Sequence, residues 1–410
     1  MHILYLVPYV PSPIYVRPYQ ILRTLARRGH RVTLLTLLRH PDEQSALDAL
    51  QESGIQIQAL TLPPWRTFWN MLGALSDGSP LQARYAHQPH LYRLLKSICQ
   101  PQDEQFPFDV IHVEHLRGVQ YALYLERLCP AIPIIWDSVD CISYLFGQAA
   151  AHSRSFFGQW VTRLELGRTM RYERSLLQHF DCILVTSQKD RQAYEQLLKP
   201  GEAHTPLDIL PNGVSLDDFY PAPQSERSTR TLVVSGKMSY HANITMVRNL
   251  VEDIMPLVWR IHPEVHLQIV GKDPPPVIQS LQADKRIEVT GTVPHVRPYL
   301  QRGTIAVAPL AYGAGIQNKV LEAMACATPV VCTPQAIAAL DVEPGRHLLV
   351  GDTPENFARA VCTLLENPQQ RERIGLAGHA YVEAYHRWDA IVARLEGIYQ
   401  RAQIARIKAY

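Results

Sequence analysis

The stretch Tyr312-Gly-Ala-Gly-Ile-Gln-Asn-Lys-Val-Leu-Glu-Ala-Met-Ala-Cys-Ala-Thr-Pro-Val-Val-Cys-Thr333 reads as loop, helix, turn and strand. An apolar run before it, Ile305–Leu310, predicts another strand. Gly313 and Gly315 give the loop conformational freedom and let a ligand approach the backbone closely. The spacing predicts a helix opening near Gln317, with Val320 and Met324 one turn apart on one face and Leu321 beside them. Ala327-Thr328-Pro329 ends it, and Val330-Val331 begins the next strand. A glycine loop that feeds a helix start favours an anion, because unpaired N–H groups and the helix dipole both point at it. The backbone of Gly313, Gly315, Ile316 and Gln317 is therefore a candidate ligand site.

Two charged side chains follow. Lys319 falls in the first helical turn, where a cation is disfavoured unless an anion offsets it. Glu322 is three residues on and shares roughly the same face. A phosphate held by the loop and Lys319, with a sugar hydroxyl on Glu322, explains both. A solvated Lys–Glu pair in an ordinary β-α-β unit explains them equally well on spacing alone.

The segment Val320-Leu321-Glu322-Ala323-Met324-Ala325 resembles the donor-binding motif of family-4 retaining glycosyltransferases, which have the GT-B fold. The resemblance implies that Glu322 binds the nucleotide ribose and that the loop amides bind the diphosphate. The first of the family's two glutamates falls at Ala314, a departure from the pattern. After the strand Leu232–Ser235 the family has an arginine and, later, a lysine that contact the donor diphosphate. Lys237 fills the first place, and Ala242 stands at the second. The resemblance then leaves Lys319 to supply the missing charge, with His241 and Asn243 as further donors or as helix caps. Gly291-Thr292-Val293-Pro294 resembles the family's nucleobase pocket, with backbone near Val293 meeting the base.

The chain has 410 residues, enough for two ordinary domains, and is 47% hydrophobic and 19% charged, a globular profile. A net charge of +2 argues against nucleic acid as the main partner. Seven scattered cysteines without a C-x-x-C pair suggest free thiols in a reducing compartment, not disulfides or a zinc site. Met1–Val10 lacks a basic leader and reads as a buried strand, and no run is long enough to span a membrane.

Ile3–Val7, a proline-containing loop Val10–Pro18, the helix Tyr19–Arg28 and the strand Arg31–Leu37 make a β-loop-α-β opening. Arg17, just before that helix, is a candidate to face the donor, or a surface arginine. Pro63–Gln100 is aromatic and mildly basic, with Trp65, Phe68, Trp69, Met71, Leu72 and Leu75. It suits either helices on the sheet or a surface facing an acceptor or a membrane. Val110–Val113 predicts a strand ending at Glu114-His115. The family's sugar-contacting histidine corresponds to Glu114, with His115 next to it, so both are candidates. Pro133–Trp136 predicts a strand whose end, Asp137 and Asp140, lines a cleft or caps a helix. The arginines 154, 163, 168, 171 and 174 lie on one long predicted helix, as a solvated face or a basic one toward anionic lipid.

Pro211-Asn212-Gly213-Val214 resembles the crossover between GT-B domains, and its Asn-Gly pair predicts a turn with positive φ. The expected architecture is α/β of GT-B type, with two Rossmann-like domains facing across a cleft. Residues 1–215 form an acceptor domain and 228–385 a nucleotide-sugar domain, while 386–410 form a helix crossing back to the first. The expected activity is transfer of a sugar from a nucleotide-sugar to a glycan or lipid-linked acceptor, with retention of configuration, in polysaccharide or glycoconjugate synthesis. A nucleotide-sugar epimerase and a binding protein without catalysis are the alternatives. Glu114, His115, Lys237 and Lys319 are the candidate catalytic residues. Glu322, Gly313, Gly315, Ile316, Gln317, Val293, Asn243 and Arg17 are the candidate donor-binding residues. No metal and no cofactor are expected. The expected place is the cytoplasm, with the inner membrane surface as a peripheral alternative.

Overall fold

In this computed structural model the apolar run His2–Val7 (β1) is an inner strand of a seven-stranded sheet. Its companions are β2 (Arg31–Leu38), β3 (Gln56–Thr61), β4 (Val110–Glu114), β5 (Ile134–Val139), β6 (Cys182–Val185) and β7 (Leu207–Ile209). They lie in the order β3-β2-β1-β4-β5-β6-β7, all parallel. A second parallel sheet holds β8 (Thr231–Ser235), β9 (His266–Val270), β10 (Ile287–Gly291), β11 (Ile305–Ala308), β12 (Val330–Cys332) and β13 (Leu349–Val350). Its order is β10-β9-β8-β11-β12-β13. Parallel strands covered by helices on both faces need apolar side chains on both sides, which is why most of these strands read as continuous apolar runs. The structure describes residues 1–100, 106–152, 156–223, 227–312 and 315–409, with the side chains of 149–152, 156–162 and 409 excepted.

The chain divides into two units. One is Met1–Pro211 together with Trp388–Tyr410, and the other is Asn212–Arg387. Each sheet changes winding direction once, between β1 and β4 and between β8 and β11. Loops at the carboxyl ends of such strand pairs diverge and leave room for a ligand. The helix Trp388–Ala409 belongs to the first unit, where Trp388, Ile391, Val392, Leu395, Ile398 and Tyr399 join its core. Glu396 on that helix bonds Arg28 at 2.6 Å and His30 at 2.7 Å.

Several local expectations need correction. Neither Asn212 nor Gly213 has positive φ. Val214 instead forms a parallel bridge with Arg387, and its N–H donates to the His386 carbonyl at 2.8 Å. Strand β5 does not stop at Trp136 but runs through Asp137 to Val139. A helix not expected from the sequence, Ile142–His152, precedes Phe156–Leu176, which matches the long helix expected over Arg154–Arg174. Of its arginines, Arg154 lies outside the described residues. Arg168 bonds Glu165 at 3.3 Å and Arg174 bonds Glu202 at 2.8 Å, while Arg163 and Arg171 are exposed and have no such pair among the described residues. Ser215–Arg230, read as linker, packs Leu216 and Phe219 against the second core.

The aromatic stretch forms three helices, Pro64–Asp77, Leu81–Tyr85 and Pro89–Ile98. The third sends Leu91 and Leu95 into the core. The first buries only Thr67 and Ala74 and is tied down by Asn70, whose amide donates to the carbonyls of Tyr85 (3.3 Å) and His87 (2.8 Å). Its outer face leaves Trp65, Phe68, Trp69, Leu72 and Leu75 between 40% and 64% exposed. The reading as helices packed on the sheet therefore holds for Pro89–Ile98, while Pro64–Asp77 keeps an exposed apolar face. No helix among the described residues is long and apolar enough to cross a membrane.

Candidate functional site

In the second unit, the loops after β8 and β11 meet beside the winding reversal. Gly236 ends β8 with φ 152°, and Gly271 ends β9 with φ 151°. A Cβ on Gly271 would lie 1.8 Å from the Gly236 carbonyl oxygen, so only glycine permits this approach. A Cβ on Gly236 would press on the Asn243 amide at 2.9 Å. Asn243 is buried in the first turn of the helix His241–Asn249 and works with both ends of its amide. Its Nδ2 donates to the Lys237 carbonyl at 2.9 Å, and its Oδ1 accepts from Lys319 Nζ at 2.5 Å. Lys319 thus reaches from its own helix, Asn318–Ala325, to the loop that carries Lys237. Ala242, where the family's second lysine is expected, is buried. His241 stacks on Tyr312 at 5.5 Å and bonds its hydroxyl through Nδ1 at 2.8 Å.

Gly315 has φ 66°, Ile316 is buried and Gln317 occupies the position before the helix. Gly313 and Ala314 lie outside the described residues. Lys319 and Glu322 are both half-buried. Burial lowers the Lys319 ammonium to about 8, against the pull of Glu322. Burial raises the Glu322 carboxyl to about 7, against the pull of Lys319. Among the described residues the Glu322 carboxylate has no hydrogen-bond or ion-pair partner. Lys237 is exposed, as a group awaiting a ligand or as an ordinary surface lysine. Val293 lines a cleft of about 520 Å³ with Thr231, Gln268, Glu288, Tyr299 and Arg302; Lys319, Glu322 and Asn243 do not line it.

In the first unit the strand ends hold a buried polar network. Glu114 is 1% exposed, and its two oxygens accept the hydroxyls of Tyr9 (2.6 Å) and Tyr5 (2.7 Å). Burial, with Asp137 nearby, raises its carboxyl above the usual range. Two tyrosines that the sequence did not single out thus occupy both oxygens of Glu114, a candidate catalytic residue. Arg17 needs correction. It is the second residue of the helix Val16–Arg27, is 5% exposed, and pairs with Asp137 at 2.7 Å. Its Nη1 also donates to the carbonyls of Leu210 and Pro211. Burial would raise Asp137, but Arg17 and His112 together hold it below the ordinary carboxylate range. His112 stacks on Tyr5 at 4.3 Å and bonds Tyr399 at 2.8 Å.

His112, Glu114 and Asp137 bring their ligand atoms within 4.8 Å of one another. Those atoms do not suit a cation, since Arg17 already neutralises Asp137 and the tyrosines occupy Glu114. His115 differs from its neighbours. It is half-buried, with φ 66°, and its Nδ1 accepts the Arg117 backbone N–H at 3.2 Å. Burial, then the charge of Arg117, lowers it to about 3. The imidazole is therefore neutral at pH 7, with its proton on Nε2 as a donor.

The sequence profile of the "Glycosyl transferases group 1" family matches residues 229–367, and that of the "Glycosyl transferase 4-like domain" matches residues 14–213. The chain belongs to the group 1, family-4 glycosyltransferases. Its curated relatives include the GDP-mannose-dependent monoacylated alpha-(1-6)-phosphatidylinositol monomannoside mannosyltransferase of Corynebacterium glutamicum. That protein is 26% identical over 48% of this chain and 57% of its own length. One component of human phosphatidylinositol N-acetylglucosaminyltransferase is 23% identical over 56% of this chain and 47% of its own. The match therefore spans about half the length of these relatives. Among solved structures, sucrose-phosphate synthase from Thermosynechococcus elongatus gives a TM-score of 0.70 at 18% identity, covering 99% of this chain and 100% of that one. Anabaena HepE in complex with UDP-glucose gives 0.68 at 15%, covering 98% and 100%. The fold is GT-B.

Proposed function

We propose that this chain transfers a sugar from a nucleotide-sugar to a glycan or lipid-linked acceptor, with retention of configuration. The observation that carries the reading is the unpartnered Glu322 carboxylate, one helical turn from Lys319 and next to a glycine loop. Glu322 accepts the ribose hydroxyls, and the helix-start amides with Lys319 and Lys237 hold the diphosphate. The departing nucleoside diphosphate gains negative charge, so fixed donors aimed at it lower the barrier. Neutral His115 in the first unit donates through Nε2 to a hydroxyl of the sugar. Family membership supports the reaction class. The names of the curated relatives support a lipid-linked acceptor, and the HepE complex supports a nucleotide-sugar donor. The work is peripheral to the cytoplasmic membrane and uses no metal, since lysines and a helix dipole supply the positive charge.

A thermal-shift screen of nucleotide-sugars followed by turnover with labelled donor tests this. Label should move to an acceptor, and activity should survive EDTA. Release of free epimerised sugar, or binding without turnover, would refute the reading.

The pH dependence follows from the two shifted groups. Glu322 is ionised above about 7 and Lys319 is charged below about 8. Donor binding by the free protein should therefore peak between those values and fall on both sides. Glu322→Gln should weaken donor binding roughly tenfold, the worth of one charge-assisted hydrogen bond, and should flatten the acid limb. Isothermal titration across pH checks both; an unchanged acid limb would remove Glu322 from the ribose.

A further inference from the structure

Two arginines at the carboxyl edge of the first sheet lack a carboxylate partner among the described residues. Arg39 follows β2 and Arg117 follows β4, with β1 between those strands. Both are half-buried and both rest on the Tyr85 ring. The Arg117 guanidinium lies 4.6 Å from the ring centroid and that of Arg39 5.7 Å. Arg39 Nη1 also donates to the Tyr85 hydroxyl at 2.9 Å, and Arg117 Nε donates to Gln82 at 2.7 Å. The rest of each fork has no hydrogen-bond partner among the described residues. Glu43, the carboxylate that acts on Arg39, accepts the backbone N–H groups of Arg39 (2.8 Å) and His40 (3.2 Å). Two guanidinium groups near each other repel, and one aromatic face only partly offsets this. Planar forks left open in this way match the oxygens of a phosphate.

The support under Tyr85 says where that phosphate comes from. Asn70 holds the Tyr85 carbonyl, and Asn70 sits on the helix Pro64–Asp77 with its exposed Trp65, Phe68, Trp69, Leu72 and Leu75. The helix has two charged residues. Arg66 lies 4.9 Å from the Trp65 ring, and Asp77 is neutralised by Arg84. An apolar, aromatic helix face on the helix that Asn70 ties to Tyr85, the ring under both arginines, fits the boundary between acyl chains and phosphate headgroups. We propose that Arg39 and Arg117 bind the phosphate of a membrane lipid headgroup, with the helix Pro64–Asp77 lying in the bilayer surface. The inference rests on the acceptor reading of the first unit and gives that acceptor its chemistry.

Vesicle flotation of the full chain tests it without turnover, so a failure of glycosyl transfer leaves the result readable. Vesicles of phosphatidylcholine with phosphatidylinositol should capture the protein better than phosphatidylcholine alone. Arg39→Gln with Arg117→Gln should lower capture by the anionic vesicles about tenfold. Arg39→Lys with Arg117→Lys should retain more of it than the glutamine pair. Trp65→Ser with Trp69→Ser, both on an exposed face, should lower capture by both vesicle types without changing the melting temperature. Equal capture of the glutamine pair and the unsubstituted chain would overturn the proposal. So would a thermal shift by soluble glycerol phosphate, lost in that pair, with no vesicle capture at all. A serine pair that changes only the oligomeric state, by light scattering, would assign the helix to a second copy and refute the lipid.

Discussion

Lys319→Met is expected to lower kcat about a hundredfold, with a smaller rise in donor KM. Removing one preorganised donor from a developing negative charge costs about that much. Lys319 is positioned by Asn243, at 2.5 Å, and Asn243 in turn holds the loop of Lys237. The two lysines are therefore not independent, and their effects should not add. Lys237→Met should also lower kcat, and the double variant should lose less than the sum of the two. The measurement is steady-state and single-turnover kinetics with a confirmed donor. An unchanged single-turnover rate in Lys319→Met would return Lys319 to the status of a structural lysine. Because the family's second lysine is replaced here by buried Ala242, a chain that restored it should tolerate Lys319→Met better.

Arg17→Met should reduce the stability of the first unit by about 3–5 kcal/mol, the usual effect of leaving one partner of a buried pair alone. Asp137 is fully buried, so without Arg17 its carboxylate has lost its main compensating charge. The pH dependence then changes sign. In the unsubstituted chain Asp137 is depressed, so its contribution is present above its unfolded pKa and is lost as pH falls. In Arg17→Met the carboxyl is raised by burial, so acidification from pH 7 should raise the melting temperature. Arg17→Met with Asp137→Asn should recover part of the loss. If Arg17→Met melts like the unsubstituted chain at pH 7, the pair is not holding the strand ends.

What the sequence reveals depends on how local the cause is. Ile3–Val7 and Ile305–Leu310 are legible because a strand between helices must be apolar on both sides. Glu322 and Lys319 are legible because a loop, a helix start and two charges lie within a dozen residues. Asp137 reads as a strand end because a charge is costly inside a sheet, and Arg17, which permits it, is 120 residues away. Arg39, Tyr85 and Arg117 form no motif at all. They come from three separate segments, and only the strand order β2-β1-β4 brings the two arginines to one edge.

The position of Trp388–Ala409 has a consequence for how the molecule is made. The ribosome releases β1 through β7 first, then all of Asn212–Arg387, and only then the helix that supplies Trp388, Val392 and Tyr399 to the first core. The earlier-made unit is thus the later one to finish. Until that helix is made, His112 lacks Tyr399, and Arg28 and His30 lack Glu396. A nascent chain halted after Arg387 would carry a second unit with its segments complete and a first one with an open apolar groove. Such a groove attracts chaperones and invites aggregation. Residues 1–211 expressed alone would meet the same difficulty, while 212–387 would not.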